Sequence, residues 1–92
     1  MAFEWHPAKA SVNFAKHGVA FEAAARFNFD TAVIFDDTRA DYGERREIAI
    51  GFIGARLYVM AFTRRGEKTR IISLRKANAR EERRYVHNLA SG

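Results

Sequence analysis

From Arg46 to Phe52 the chain alternates apolar and polar positions, with Ile48, Ile50 and Phe52 on one side, which is the period of a half-buried strand. Leu57 to Phe62 is apolar on both sides, as in a central strand covered on each face, and Ile53-Gly54-Ala55-Arg56 turns the first run into the second. Lys68 to Leu74, rich in β-branched residues, follows Arg64, Arg65, Gly66 and Glu67, a turn that makes a β-hairpin of the two runs. Upstream, Phe3-Glu4-Trp5 fits a short edge strand and Thr31 to Phe35 a second short strand. Ala8, Val12 and Ala15 recur at helical spacing behind Pro7, a residue suited to the first helical position. Gly18 ends the pattern, so Pro7 to His17 is predicted as a helix. Val19 to Asn28 is predicted as a second helix with Phe21, Ala24 and Ala25 inward. Asn78 with Glu81 three residues later is a capping-box pattern, opening a last helix through Asn88. Asp36 to Gly43 is polar, without periodicity, and is the segment expected to be most mobile.

The order β-α-α-β-β-β-β-α gives an α+β fold: a small antiparallel sheet with two N-terminal helices and one C-terminal helix. No repeat, linker or low-complexity tract divides residues 1–92, which are read as one domain. Aromatic residues make up 13 % of the chain, and each fully buried phenylalanine contributes roughly 1.5–3 kcal/mol, so the composition is that of a folded protein. There is no cysteine, which rules out a disulfide scaffold and thiolate metal sites and makes a reducing cytoplasm the expected setting. No apolar run reaches the length of a membrane span, and MAFEWHPAKA does not read as a signal peptide.

Charge changes the picture more. The net charge of +5 is uneven: residues 1–63 carry 7 basic and 8 acidic side chains, residues 64–92 carry 9 basic and 3 acidic. Arg64, Arg65, Lys68, Arg70, Arg75 and Lys76 lie on or beside the predicted hairpin, so the part expected to be rigid is also the most basic. Such a surface suits a polyanion, an acidic protein, or simply solvent.

Phe3-Glu4-Trp5 with Pro7 and Lys9, Asn13, the Lys16-His17-Gly18 corner, Phe21-Glu22-Ala23-Ala24, Glu44-Arg45, Ile50-Gly51, Phe62-Thr63-Arg64-Arg65-Gly66, Arg70 through Ala77, and Glu81 with Tyr85 follow one another in an order that resembles the BrnT family of bacterial type II toxins. No single piece is specific; together they span nearly the whole chain. His6 departs from the acidic residue usual there, and imidazole is a poorer helix cap. The resemblance implies a RelE-like fold, RNA cleavage, growth inhibition and neutralisation by a BrnA-like ribbon-helix-helix antitoxin, through which alone DNA would be contacted. It also implies a toxin-antitoxin assembly built on an antitoxin dimer; separately, an isolated chain that exposed its antitoxin-binding surface could bury it by forming a homodimer.

RNA carries its own nucleophile. The 2′-hydroxyl attacks the adjacent phosphorus, and a protein need only take that proton, stabilise the added negative charge and protonate the 5′-oxygen, with no metal or cofactor. His6, His17 and His87 are scattered, and no carboxylates pair at ligand spacing. Arginine suits the developing phosphorane because its fork matches phosphate oxygens and stays ionised. Arg65 and Arg75 are therefore assigned to that role, with Lys16 as general base or transition-state cation and His17, Arg64, Arg70 and Lys76 as RNA-binding residues. In an unbroken strand Arg70 and Arg75 face opposite sides, with Arg75 beside Ser73 and Ile71. Arg70 reads in preference as a solvated or ion-paired strand residue and His17 as a packing or capping residue, while Lys16 is equally readable as a lysine favouring a helix C-terminus. Glu44 reads as a base or, preferably, as a partner of Arg45 or Arg65. Tyr85 reads as a packing residue with its hydroxyl at the surface, and Trp5 and the phenylalanines as core. The competing function is a non-catalytic basic module that binds an antitoxin or nucleic acid with the same arginines; no helix-turn-helix pattern supports a DNA-binding regulator.

Overall fold

The doubly apolar run from Leu57 forms the middle of the sheet. In the computed structural model, which describes residues 2–91, it belongs to β4 (Arg56–Arg65), paired on either side with β3 (Glu47–Ile53) and β5 (Lys68–Lys76). β2 (Val33–Asp36) and β1 (Ala2–Glu4) complete the order β1-β5-β4-β3-β2. The expected antiparallel sheet is in fact mixed, because β1 runs parallel to β5. Alternation identifies a strand and leaves its neighbour unspecified, so this pairing had no local signal.

One face of the sheet carries the larger core. Phe21, Ala24, Phe27, Met60, Phe62, Ile71 and Leu74 pack there beneath α1 (Pro7–His17) and a 3₁₀ segment (Phe21–Arg26), with Trp5 edge-to-face on Phe21 at 5.9 Å. The second predicted α-helix is thus a 3₁₀ turn. Phe21, Ala24 and Phe27 are three residues apart, the repeat at which side chains eclipse in a 3₁₀ helix, and Ala25 points to solvent. Gly51 lets the Phe27 ring lie on the sheet, since a Cβ there would stand 2.7 Å from Phe27 Cζ.

α1 has the predicted bounds and a different inward face. His6 caps it, its Nδ1 accepting from the Ala8 N–H at 3.1 Å, and Gly18 closes it in the left-handed conformation. Ala8, Val12 and Ala15 are exposed, while the buried residue is Asn13. Its amide donates to the Leu74 and Val19 carbonyls at 2.8 and 3.0 Å and accepts from the Leu74 N–H at 3.1 Å. β1 pairs only with Lys68 to Arg70, so beyond that point a side chain replaces a strand along the edge of β5.

The other face is built on Ile48, Ile50, Leu57, Val59 and Ala61, with Ala77, just after β5, and Tyr85, on α2 (Ala79–Ser91), packed over it. The capping box forms as predicted: Asn78 Oδ1 accepts from the Glu81 N–H and Glu81 Oε1 from the Asn78 N–H, both at 2.9 Å. Tyr85 is buried, and its hydroxyl donates to the Thr31 carbonyl at 2.9 Å rather than to solvent.

Candidate functional site

The register of β4 against β5 decides which basic residues can act together. Phe62 pairs with Ile71 but Ala61 with Ser73, so Ile72 is an extra residue that bulges out of β5. A bulge resets alternation. Arg70 beside Thr63, Ser73 beside Ala61 and Arg75 beside Val59 consequently share one face, whereas Ile71 lies on the opposite one. The opposition expected of Arg70 and Arg75, and the shared face expected of Ile71 and Arg75, are both reversed by one inserted residue.

Arg75 opens into a groove of about 550 Å³ on the face that α2 only partly covers. Ile48, Val59, Ala61 and Ser73 floor it, the loop after β2 forms one wall and the start of α2 the other. Four arginines line it: Arg39, Arg75, Arg80 and Arg84. Arg75 is bound by Glu81 through two 2.7 Å hydrogen bonds, Nη1 to Oε1 and Nη2 to Oε2. These raise the pKa of the guanidinium and lower that of the carboxyl, against burial acting the other way on each. Glu81 therefore closes the α2 cap and orients Arg75 with the same carboxylate. Arg84 stacks over the Phe35 ring, 3.7 Å from its centroid.

The opposite wall is anchored by Asp37, whose side chain is 1 % exposed. It accepts from Arg39 Nε at 2.8 Å, Arg39 Nη2 at 2.7 Å and the Tyr42 hydroxyl at 3.3 Å. The Arg39 hydrogen bonds, outweighing burial, bring its pKa down to about 2. Arg46 in turn lies over the Tyr42 ring at 3.9 Å. The loop expected to be mobile is pinned, and Arg39, which sequence reasoning passed over, is its most prominent cation. The available signal was an Asp followed two residues later by an Arg.

Elsewhere on the hairpin three arginines are already matched. Arg64 binds Glu47 at 2.8 Å, Arg65 binds Glu44 at 3.2 Å and Arg70 binds Glu4 at 2.7 Å. Glu44 takes the role of partner, and Arg70 that of an ion-paired strand residue. Arg65 sits beside Lys68 at the hairpin tip, about 20 Å along the sheet from Arg75 at the rise of an antiparallel strand. Lys16 and His17 lie in the last turn of α1, at the end of the molecule where Arg75 sits. Burial, then the charges of Lys16 and Arg75, lower the His17 pKa. Lys76 is exposed at the end of β5. Arg75 and the Lys16-His17 corner thus lie at one end of the sheet, α1 over the larger core and Arg75 on the groove face, away from Arg64 and Arg65 at the hairpin tip. Among the described residues, no three His, Cys, Asp or Glu side chains form a group that could hold a metal ion, and no helix is long and apolar enough to cross a membrane.

Residues 5–81 match a protein family described as the ribonuclease toxin, BrnT, of type II toxin-antitoxin systems. No curated protein matches the chain.

Proposed function

The chain belongs to the BrnT family of ribonuclease toxins of type II toxin-antitoxin systems, and from that premise we propose that it is an endoribonuclease cutting RNA by 2′-hydroxyl attack, with Arg75 as the cation at the scissile phosphate. The observation that carries this is the groove. Arg75 is preorganised by Glu81 at the wall of a recess lined by three further arginines, and fixed donors of this kind stabilise charge that develops during reaction.

In the proposed step the 2′-oxygen forms a bond to phosphorus, the bond from phosphorus to the 5′-oxygen breaks, the proton taken from the 2′-hydroxyl is balanced by one returned to the departing 5′-oxygen, and a 2′,3′-cyclic phosphate remains. Protons are handled at the Lys16-His17 corner. A lowered pKa keeps His17 neutral down to lower pH than a free imidazole, so it can accept the 2′-proton, while Lys16 supplies charge beside it. No metal is needed for this route. Arg65, Arg64, Arg70 and Lys76 contact the RNA backbone away from the reacting phosphate. We further read residues 1–92 as one RelE-like domain acting in the cytoplasm. It would be restrained by a BrnA-like ribbon-helix-helix antitoxin that supplies the DNA contact, and would be able to self-pair when isolated.

The test is cleavage of single-stranded RNA in EDTA by the wild type and Arg75→Ala, with circular dichroism to confirm that the variant folds. Chelator-resistant cutting that yields cyclic ends and is lost in the variant is the expected result. A folded wild type that binds RNA without cutting it, with or without translating ribosomes, would leave a binding module instead.

A further inference from the structure

The two arginine-carboxylate pairs of the groove use their forks differently. Glu81 takes the terminal edge of Arg75, through Nη1 and Nη2. Asp37 takes the side edge of Arg39, through Nε and Nη2. What remains on Arg75 is the Nε and Nη2 side edge; on Arg39 it is the Nη1 and Nη2 terminal edge. Each guanidinium is thus locked by one edge and offers the other, the arrangement that bidentate phosphate recognition requires. Both pairs line the same recess, one from the loop after β2 and the other from the end of β5 and the start of α2.

The outlay at Asp37 points the same way. A carboxylate that is 1 % exposed is spent on an arginine whose side chain is 71 % exposed. Surface arginines need no such partner, and exposed pairs contribute little to stability. Tyr42, itself covered by Arg46, adds a further hydrogen bond to the same carboxylate. What a buried anchor with three side-chain hydrogen bonds provides is orientation of a group whose other edge is directed at something else.

Resting on the ribonuclease reading above, we propose that Arg39 is a second phosphate-contacting residue, gripping the RNA backbone opposite Arg75, and that Asp37 is the positioning residue that holds it there. Both roles deepen the groove beyond the residues the hairpin supplies. Asp37 acts only through Arg39, which gives the proposal a sign that ordinary electrostatics would not. Removing a negative charge from a polyanion-binding groove should tighten RNA binding, and here it weakens it.

The experiment measures kcat/KM on single-stranded RNA and the Kd of an uncleavable 2′-O-methyl oligonucleotide for wild type, Arg75→Ala, Arg39→Gln, Arg39→Lys, Asp37→Asn and the Arg39→Gln/Asp37→Asn double variant. Arg39→Gln is expected to lower kcat/KM about tenfold or more and to flatten the slope of log Kd against log salt by about 0.7, the share of one phosphate contact on a single strand. Arg39→Lys keeps the charge and loses the fork, so kcat/KM falls with it. Asp37→Asn weakens binding in the wild-type background and adds nothing in the Arg39→Gln background, because a positioning residue has no effect once its target is gone. The double variant also contains no unpaired buried carboxylate, which separates loss of contact from loss of fold. Tighter binding by Asp37→Asn, or a cost that persists in the double variant, would overturn the proposal. If Arg75→Ala abolishes cleavage while the Arg39 variants match the wild type, this inference alone falls. If the wild type neither binds nor cuts RNA, the ribonuclease reading falls and takes the inference with it.

Discussion

The hairpin tip and the groove hold the same kinds of residue and differ in how they are held. At the tip, Arg65 makes one 3.2 Å contact to a Glu44 side chain that is 35 % exposed. In the groove, Arg75 makes two 2.7 Å contacts to Glu81, and Arg39 two to a fully covered Asp37. The tip is the more basic stretch of sequence, and its charge is spread, solvated and neutralised singly. The groove draws its cations from three separate segments and fixes two of them, Arg39 and Arg75, by a fork. Density of positive charge along a chain therefore says less about a phosphate site than the number of carboxylates committed to orienting that charge.

The largest expected difference between the two regions is catalytic. Arg75→Ala should lower kcat on RNA by about 10²–10³-fold, as removal of a preorganised charge-stabilising donor does. Arg65→Ala should cost less than about tenfold, mostly in KM, as loss of one backbone contact at a distance. Parallel single-turnover assays check this, and equal losses would erase the distinction. Next comes Glu81→Ala, which removes a helix cap and the partner of Arg75 together. A fall of about 2 kcal/mol in urea unfolding is expected, against a few tenths for Glu67→Ala at the tip.

Acid should find the groove too. The Asp37 pKa is depressed in the folded state, so its contribution to stability is complete above the unfolded value near 4 and disappears as pH falls towards about 2. Wild type should lose about 1–2 kcal/mol more than Asp37→Asn across that interval in thermal unfolding, the solvent around Arg39 keeping the figure below the full shift. Smallest of all is Glu44→Gln. Breaking that tip pair should change stability by less than about 0.5 kcal/mol, within reach only of careful denaturant titration.

Much of this architecture was readable from local signals. Pro7 and Gly18 delimited α1, Asn78 and Glu81 wrote the capping box, and the alternation of Ile48, Ile50 and Phe52 placed a face of β3 correctly. Local signals failed where a distant partner decides. Nothing near Phe3 announces that its strand lies parallel to β5, and the apolar spacing of Ala8, Val12 and Ala15 gave the helix but the wrong face, because Asn13 is held by Leu74. The Ile72 bulge is invisible to counting by twos, and it moved Arg70 to the side of Arg75. Within the site, Arg75 could be singled out as the residue beside Ser73. Arg39 could not, since its importance comes from Asp37 being buried by the fold and not from composition.

Asn13 has a further meaning for life in a crowded solution. Past Arg70 the margin of β5 has no neighbouring strand among the described residues, and an open strand margin is a template on which other chains can zip up. One carboxamide, donating and accepting at Leu74, occupies the position a foreign backbone would need. Guarding against aggregation is thus entrusted here to a single side chain on a helix, so that fraying of α1 would unfold a helix and uncover an adhesive edge in the same event.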